Sequence, residues 1–198
     1  MGDGRSIGRG VHGVQVDRNL VELARGGDRD AFGAVVHHVK DSLFSLAFRI
    51  LRDPDLAQDA FQNALIAAWR QLPALRDPDR FEAWVRRILV HECYAESRRR
   101  NRWASNVRVL ELDAPTSVNA DLSIHDRDEL ERGFRLLPLE QRAVFVLHHH
   151  VGLPLVEIAE TLGIPAGTAR SRLHYATRAL REALGEGDAR AATKERLA

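Results

Sequence analysis

Between Pro165 and Leu184 the chain carries Thr168, Arg170, Ser171, Arg172, His174, Tyr175 and Arg178, with no carboxylate before Glu182. Guanidinium groups make paired contacts to phosphate oxygens and guanine edges, so this set has the chemistry of a duplex reader. A second set lies upstream, where Arg80, Trp84, Arg87, His91, Tyr94, Arg98 and Arg99 alternate rings with arginines. Rings can stack on unpaired bases and arginines can hold a backbone beside them, a chemistry open to this set alongside ordinary helix packing. Phe81, Trp84, Ile88 and Leu89 also have the spacing of a helical core face, so core packing and strand contact both stay open for Phe81 and Trp84. A third set, Asp55, Asp59, Gln62 and Asn63, offers carboxylates and amides near a helix start; taken alone it reads as solvated polar surface.

Enzyme chemistry finds little footing. His148, His149 and His150 are consecutive, and on a helix neighbours point about 100° apart, so they cannot converge on one ion. His37 and His38 fail for the same reason, and Cys93 with His91 lacks a second ligand pair. No phosphate-cradling GxxxxGK[ST] loop, GxSxG elbow or HExxH pair occurs. The expectation is a binding protein with no catalytic residues, no metal and no cofactor.

The elements that must position these sets are helices. Apolar residues recur at three and four spacing nearly throughout, and alternating strand-like runs are scarce. A short helix from Asp17 to Arg25 ends at Gly26-Gly27; Asp28 caps a second, running to about Leu51. Asp53-Pro54 starts a third that reaches Leu72, Pro73 to Asp79 reads as a tight loop, and a fourth helix runs to Arg100. From Asn101 to about Asp126 the periodicity is lost and Pro115, Thr116, Ser117 and Asn119 mark a linker. Four further helices follow: Arg127 to Leu137, Leu139 to Val151, Leu155 to Leu162 and Pro165 to Leu184. In the last, Ala169, Leu173, Ala176, Leu180 and Leu184 form one apolar face opposite the arginines. A short helix, Gly163 and this second helix make a helix-turn-helix pattern, and Gly167 with Thr168 would let the second helix's N-terminus approach a phosphate.

The 198 residues are 44% hydrophobic and 29% charged, ordinary for a globular protein, and no apolar run nears the roughly 20 residues of a bilayer span. The start, MGDGRSIGRGVHG, lacks a secretory apolar core, and the single Cys93 permits no internal disulfide; both point to the cytoplasm without membrane insertion. The net charge of +1 conceals segregation. Residues 86–102 hold six arginines against Glu92 and Glu96, residues 164–181 hold four arginines and no acid, and residues 109–131 hold seven acids against Arg127. Two basic blocks joined by an acidic strap describe a polyanion binder with two feet.

The segment LPLEQRAVFVLHHHVGLPLVEIAETLGIPAGTARSRLHYATRALREAL resembles the C-terminal DNA-reading domain of bacterial RNA polymerase sigma factors, especially the extracytoplasmic-function (ECF) type. GDRDAF at Gly27 to Phe32, DLAQDAFQNALIAAW at Asp55 to Trp69 and FEAWVRRI at Phe81 to Ile88 resemble that family's promoter-melting domain in the same order. The resemblance implies an all-α chain of two small domains: residues 17–101 as a region 2-like bundle and 127–185 as a region 4-like helix-turn-helix domain. An acidic linker over 102–126 joins them, an extension over 1–16 precedes them and a tail over 186–198 follows. It implies promoter-specific initiation, with Thr168, Arg170, Ser171, Arg172, His174, Tyr175 and Arg178 on the −35 element. Arg80, Trp84, Arg87, His91, Tyr94, Arg98 and Arg99 would meet the single-stranded −10 element, and Asp55, Asp59, Gln62 and Asn63 would meet the polymerase core. The implied partners are core polymerase, through its large-subunit coiled coil and flap, promoter DNA, and an anti-sigma factor. The chain departs from the family at Asn63, where Glu is common, at His91, often Asn, and at Tyr175 and Thr177, usually basic. Pro154 replaces a common capping Ser. A homodimeric helix-turn-helix regulator with an N-terminal sensing bundle is the alternative; DLAQDAFQ together with FEAWVRRI is what separates the two.

Overall fold

The computed structural model describes the backbone of residues 16–108 and 125–196 and the side chains of 16–103 and 131–183. Eight helices account for most of it: α1 (Arg18–Arg25), α2 (Arg29–Leu51), α3 (Pro54–Gln71), α4 (Phe81–Arg108), α5 (His125–Leu136), α6 (Leu139–His149), α7 (Leu155–Leu162) and α8 (Ala166–Arg196). Among the described residues there is no strand.

Aspartates start the first three helices. Asp17, Asp28 and Asp53 each accept backbone N–H groups of the first turn, and Pro54 adds its preset backbone angle at the head of α3. Such caps are worth about 1 kcal/mol each. The stretch Pro73 to Asp79, expected as a loop, is two 3-10 turns, Leu72–Ala74 and Pro78–Arg80, the second capped by Asp77. Proline early in each turn suits the tighter winding. Gly163 closes α7 in the left-handed conformation (φ 64°), with its own N–H and that of Ile164 returning to Glu160 and Ala159. A glycine adopts that angle without a Cβ penalty, which fixes the turn between α7 and α8.

Two helices outrun the expectation. α4 continues through Asn101 to Arg108, and α8 continues past Leu184 to Arg196. Neither extension contains proline; Asn101 and the glycines at 185 and 187 lower helix propensity without removing a hydrogen-bond donor. The remaining linker residues, 109–124, and the start of the chain lie outside the described residues.

The bundle α1–α4 is cored by Val21, Val35, Ile50, Leu72, Phe81, Val85, Leu89 and Cys93, all essentially inaccessible. Each such aliphatic side chain contributes about 1.5–3 kcal/mol of burial. Four alanines on α3, Ala57, Ala60, Ala64 and Ala68, are buried at helical spacing, letting it lie close against its neighbours. In the second half, Ala169, Ala176 and Leu180 are buried as expected and Leu173 is half-buried. Gly133 of α5 lies tightly against α8, since a Cβ there would stand 3.1 Å from Leu180 and 3.2 Å from Ala183.

The two halves share a core. Ala143, Val144, Leu147, Ile158 and Ala169 belong to the same buried cluster as the N-terminal bundle, with α6 against α2 and α7 against α4. Arg142 anchors this seam. Its guanidinium donates to the carbonyls of Ile50 (3.0 Å) and Leu51 (3.4 Å) at the end of α2, and to Leu137 (2.8 Å) and Arg135 (3.4 Å) of its own half. It therefore satisfies helix-end carbonyls that have no partner within their own helix. Beside it Arg52, a non-glycine residue in the left-handed region (φ 57°), pairs with Glu131 and lies 5.4 Å from the Phe134 ring and 5.7 Å from the Phe48 ring. Burial lowers the pKa of both guanidinium groups, Arg142 to about 10; the Arg52 charge adds to the shift at Arg142, and the charges of Arg135 and Arg49 add to that at Arg52.

Candidate nucleic-acid interface

α3 turns one polar row outward. Asp55, Asp59 and Gln62 are exposed in steps of four and three, which keeps them on one face. Ile66, four residues on, continues the row and is 51% exposed, an apolar residue that the sequence reading did not single out. Asn63 sits at the inner edge. It is half-buried, and its amide Nδ2 donates to Glu96 Oε1 of α4 at 2.7 Å. That contact gives the amide a physical reason: a carboxylate at this position would face the buried Glu96 charge, whereas an amide donates to it.

The 3-10 turn leaves Arg80 exposed beside Asp77 (3.6 Å), and α4 then carries Trp84, Arg87 and His91 in steps of three and four. With Gln71, Ile88 and Glu92 they line a groove of about 430 Å³. Phe81 is core, its ring tilted against that of Trp84 at 5.8 Å between centroids, while Trp84 is only half-buried and lines the groove. The core and the groove thus divide the two rings whose use the sequence left open. Burial, then the charges of Arg87 and Arg98, hold His91 below its ordinary pKa against the pull of Glu92, favouring a neutral ring. Arg98 and Arg99 extend this edge as exposed cations, Arg99 ion-paired to Glu96 at 2.8 Å. Arg100 pairs instead with Asp53, the cap of α3. Burial works against the Asp53 charge, but the N–H of Leu56 and the Arg100 guanidinium outweigh it, and its pKa stays low.

Tyr94 is placed differently from the rest of its set. It is half-buried at the seam with the second half, its hydroxyl has no hydrogen-bond partner, and burial pushes its pKa up to about 12. Arg172 of α8 is close enough to oppose that rise, and Glu140 of α6 reinforces it. Two residues expected at separate DNA elements therefore stand near each other. Arg86 is also half-buried on this side, where burial lowers its pKa against the pull of Glu82 and Glu157.

On α8, Arg170, Ser171, His174, Tyr175 and Arg178 are exposed and Thr168 and Arg172 half-buried. Ser171 Oγ donates back to the Thr168 carbonyl (3.0 Å), so its hydroxyl follows the helix. Arg178 is drawn to Glu182 at 2.7 Å, while the His174 and Tyr175 rings lie edge to face at 5.7 Å. Nothing would crowd a Cβ at Gly167, so the start of α8 is open to an approaching group.

The His148 and His149 rings lie edge to face at 4.8 Å, and His148 Nδ1 meets the Leu153 carbonyl at 3.0 Å. Among the described residues no three His, Cys, Asp or Glu side chains gather as a metal set would, and no helix is long and apolar enough to cross a membrane. Glu96, Arg142, Arg52 and Ile66 were not read from the sequence as functional. Only Ile66 carried a local signal, an apolar residue in register with Asp59 and Gln62.

Comparison with known proteins places these faces in context. The family described as Sigma-70 region 2 matches residues 35–103, and Sigma-70, region 4 matches residues 134–182. The chain is 30% identical over 181 residues to the RNA polymerase sigma-H factor of Pseudomonas aeruginosa, covering 85% of this chain and 93% of that one. It is 32% identical over 172 residues to the sigma-E factor of Streptomyces avermitilis (83% and 91% covered) and 27% over 179 residues to the ECF sigma factor SigW of Bacillus subtilis (84% and 96%). Among solved structures it resembles CnrH bound to the cytosolic domain of CnrY (TM-score 0.60, 26% identity, 86% and 98% covered). The sigma factor RpoE of Bartonella quintana, solved with the anti-sigma factor NepR, shares the fold (TM-score 0.63, 24% identity, 78% and 96% covered).

Proposed function

Since the chain belongs to the ECF sigma factors of bacterial RNA polymerase and directs promoter-specific transcription initiation, we propose how its surfaces divide that work. The outward row of α3, Asp55, Asp59 and Gln62, docks on the polymerase's large-subunit coiled coil, with Asn63 supporting the row from behind. The groove of Trp84, Arg87 and His91 takes unpaired bases of the −10 strand, Arg80, Arg98 and Arg99 hold its backbone, and Tyr94 joins them once the seam is open. Thr168, Arg170, Ser171, Arg172, His174, Tyr175 and Arg178 of α8 enter the major groove at the −35 element. The second half rests on the polymerase flap, an anti-sigma factor holds the protein in reserve, and it works in the bacterial cytoplasm. Bond-making belongs to the polymerase; this chain supplies recognition and melting and needs no cofactor. On this division residues 17–101 form the polymerase and −10 domain and 127–185 the −35 domain.

The observation that carries this reading is the exposed row on α3 in the same bundle as the ring-and-arginine groove. A dimeric repressor needs the helix-turn-helix but has no use for that row. Reconstituted transcription tests it: core polymerase from the source species is given this protein and a pool of genomic fragments, and transcript starts are sequenced. New starts sharing two upstream motifs are expected. Asp59→Ala with Gln62→Ala should keep the helical fold and weaken core binding about tenfold or more, as loss of charged interface contacts does. Unchanged core affinity in that variant refutes the assignment of the row. A protein that footprints duplex DNA alone and yields no new starts is a conventional regulator instead.

A further inference from the structure

Glu96 is only 4% exposed, which is unusual for a carboxylate and calls for partners. One oxygen, Oε1, is engaged from both sides of the α3–α4 contact: it accepts from Asn63 Nδ2 of α3 at 2.7 Å and forms an ion pair with the Arg99 guanidinium one turn along α4 at 2.8 Å. Arg99 itself remains 56% exposed, so one edge of its guanidinium is held while the rest faces solvent. Asn63 adjoins Gln62 on the helix whose outer row is assigned to the polymerase.

We propose that Glu96 is a positioning residue: fixed from the polymerase-facing helix by Asn63, it aims Arg99 at the DNA strand. A free surface arginine samples many rotamers and loses that freedom when a phosphate binds; one already aimed loses less. The Asn63 bond sets the Glu96 rotamer from α3, and Glu96 sets the direction of Arg99, so the guanidinium is registered to the polymerase-facing helix. Glu96 also carries a negative charge that offsets Arg99. Aiming strengthens strand binding and charge offset weakens it, so the sign of a substitution's effect separates them.

The inference rests on the −10 assignment, and the test keeps the two apart. Holoenzyme is reconstituted from core polymerase and the full chain, and its affinity for a labelled single-stranded oligonucleotide bearing the mapped −10 element is measured between 50 and 200 mM salt. Wild type, Glu96→Gln, Arg99→Ala and the double variant form a cycle. Glu96→Gln is expected to bind about fivefold more weakly, the scale of one exposed ion pair. Its log affinity should fall less steeply with log salt, by about 0.7, the share of one phosphate on a single strand. Arg99→Ala should show the same losses, the double variant should be no worse than Arg99→Ala, and core affinity should stay unchanged. Asn63→Ala, which leaves the ion pair and removes its support, should shift affinity in the same direction. A Glu96→Gln loss that persists in the Arg99→Ala background marks a merely structural carboxylate and overturns the proposal. Unchanged or tighter binding by Glu96→Gln overturns it as well, as does an Arg99→Ala variant that binds normally. Wild-type holoenzyme that ignores the oligonucleotide refutes the −10 assignment itself.

Discussion

Arg142→Met removes a guanidinium and keeps an apolar stem of similar length in a buried site. Wild type holds a charge there whose pKa has fallen from the ordinary 12.5 to about 10, an unfavourable contribution of roughly 3 kcal/mol at about 1.4 kcal/mol per unit. Its two shorter bonds, to Leu137 and Ile50, return about 1.5 kcal/mol each as charge-assisted donors, so the guanidinium nearly breaks even. The substitution is decided by what it leaves behind: carbonyls at the ends of α2 and α5 that lose their donor, at about 1–3 kcal/mol for each one water cannot reach. A net loss of about 2 kcal/mol follows if one carbonyl is rehydrated. Because the bonds divide between the two halves, about 1 kcal/mol falls on their docking, a roughly fivefold shift toward separated halves. Spin labels on cysteines introduced at the exposed positions Gln58 of α3 and Arg181 of α8 read that equilibrium as a distance distribution. Cys93 need not be removed, because it is buried and burial pushes its thiol pKa up to about 12. Arg142→Lys, with one point donor, should fall between the two. An Arg142→Met protein with the wild-type distance distribution and the wild-type unfolding midpoint would refute the reasoning.

Tyr94→Phe removes a buried hydroxyl that has no partner, so thermal stability should hold or rise by up to about 1 kcal/mol; a clear fall in calorimetry would show that the hydroxyl is bonded after all. Acidification should destabilise the protein. Burial first, then Arg87 for His91, His148 for His149 and Arg49 for His150, lowers these folded-state pKa values below the ordinary 6.5. The unfolded chain therefore binds more protons in the window just beneath pH 6.5, and stability falls as the pH drops through it. Urea midpoints at pH 7.5, 6.0 and 5.0 should decline in that order, and His149→Gln with His150→Gln should flatten the trend; a midpoint that rises on acidification contradicts the assigned shifts.

Much of the fold was legible because its signals are local. Asp28, Asp53 with Pro54, and Gly163 sit where a helix must start or stop, and the core face of α8 follows from Ala169, Ala176 and Leu180 alone. The overrun of α4 to Arg108 and α8 to Arg196 was missed because loss of amphipathic pattern was read as loss of helix. A helix can continue without an apolar stripe wherever no residue breaks it. The candidate site divides in the same way. The rows on α3, α4 and α8 are spacings within one helix and were readable. The direction of Asn63, set by Glu96, and the burial of Tyr94, set by the second half, depend on a different helix. Arg142 is the extreme case, since its partner Ile50 lies 92 positions away.

The nearness of Tyr94 and Arg172 bears on how the protein works. By their labels the −35 and −10 elements are about 25 base pairs apart, roughly 85 Å along straight B-form DNA at 3.4 Å per pair. A compact chain of this length has a radius of gyration of about 16 Å. With α6 packed on α2 and α7 on α4, the closed arrangement cannot hold both elements where the proposed assignment puts them. Residues 109–124 can span up to roughly 55 Å when extended, and the dimensions of the two halves add to that reach. Occupying the whole promoter therefore requires the α2–α6 and α4–α7 contacts to part, and the groups that must part are Arg142 from the end of α2 and Arg52 from Glu131 and Phe134. The free energy of that separation is subtracted from promoter affinity in any measurement that starts from the closed protein. A substitution that loosens the seam without touching DNA should accordingly tighten promoter binding by the free chain, while one at Arg170 or Arg87 should weaken it whether or not the seam has been loosened.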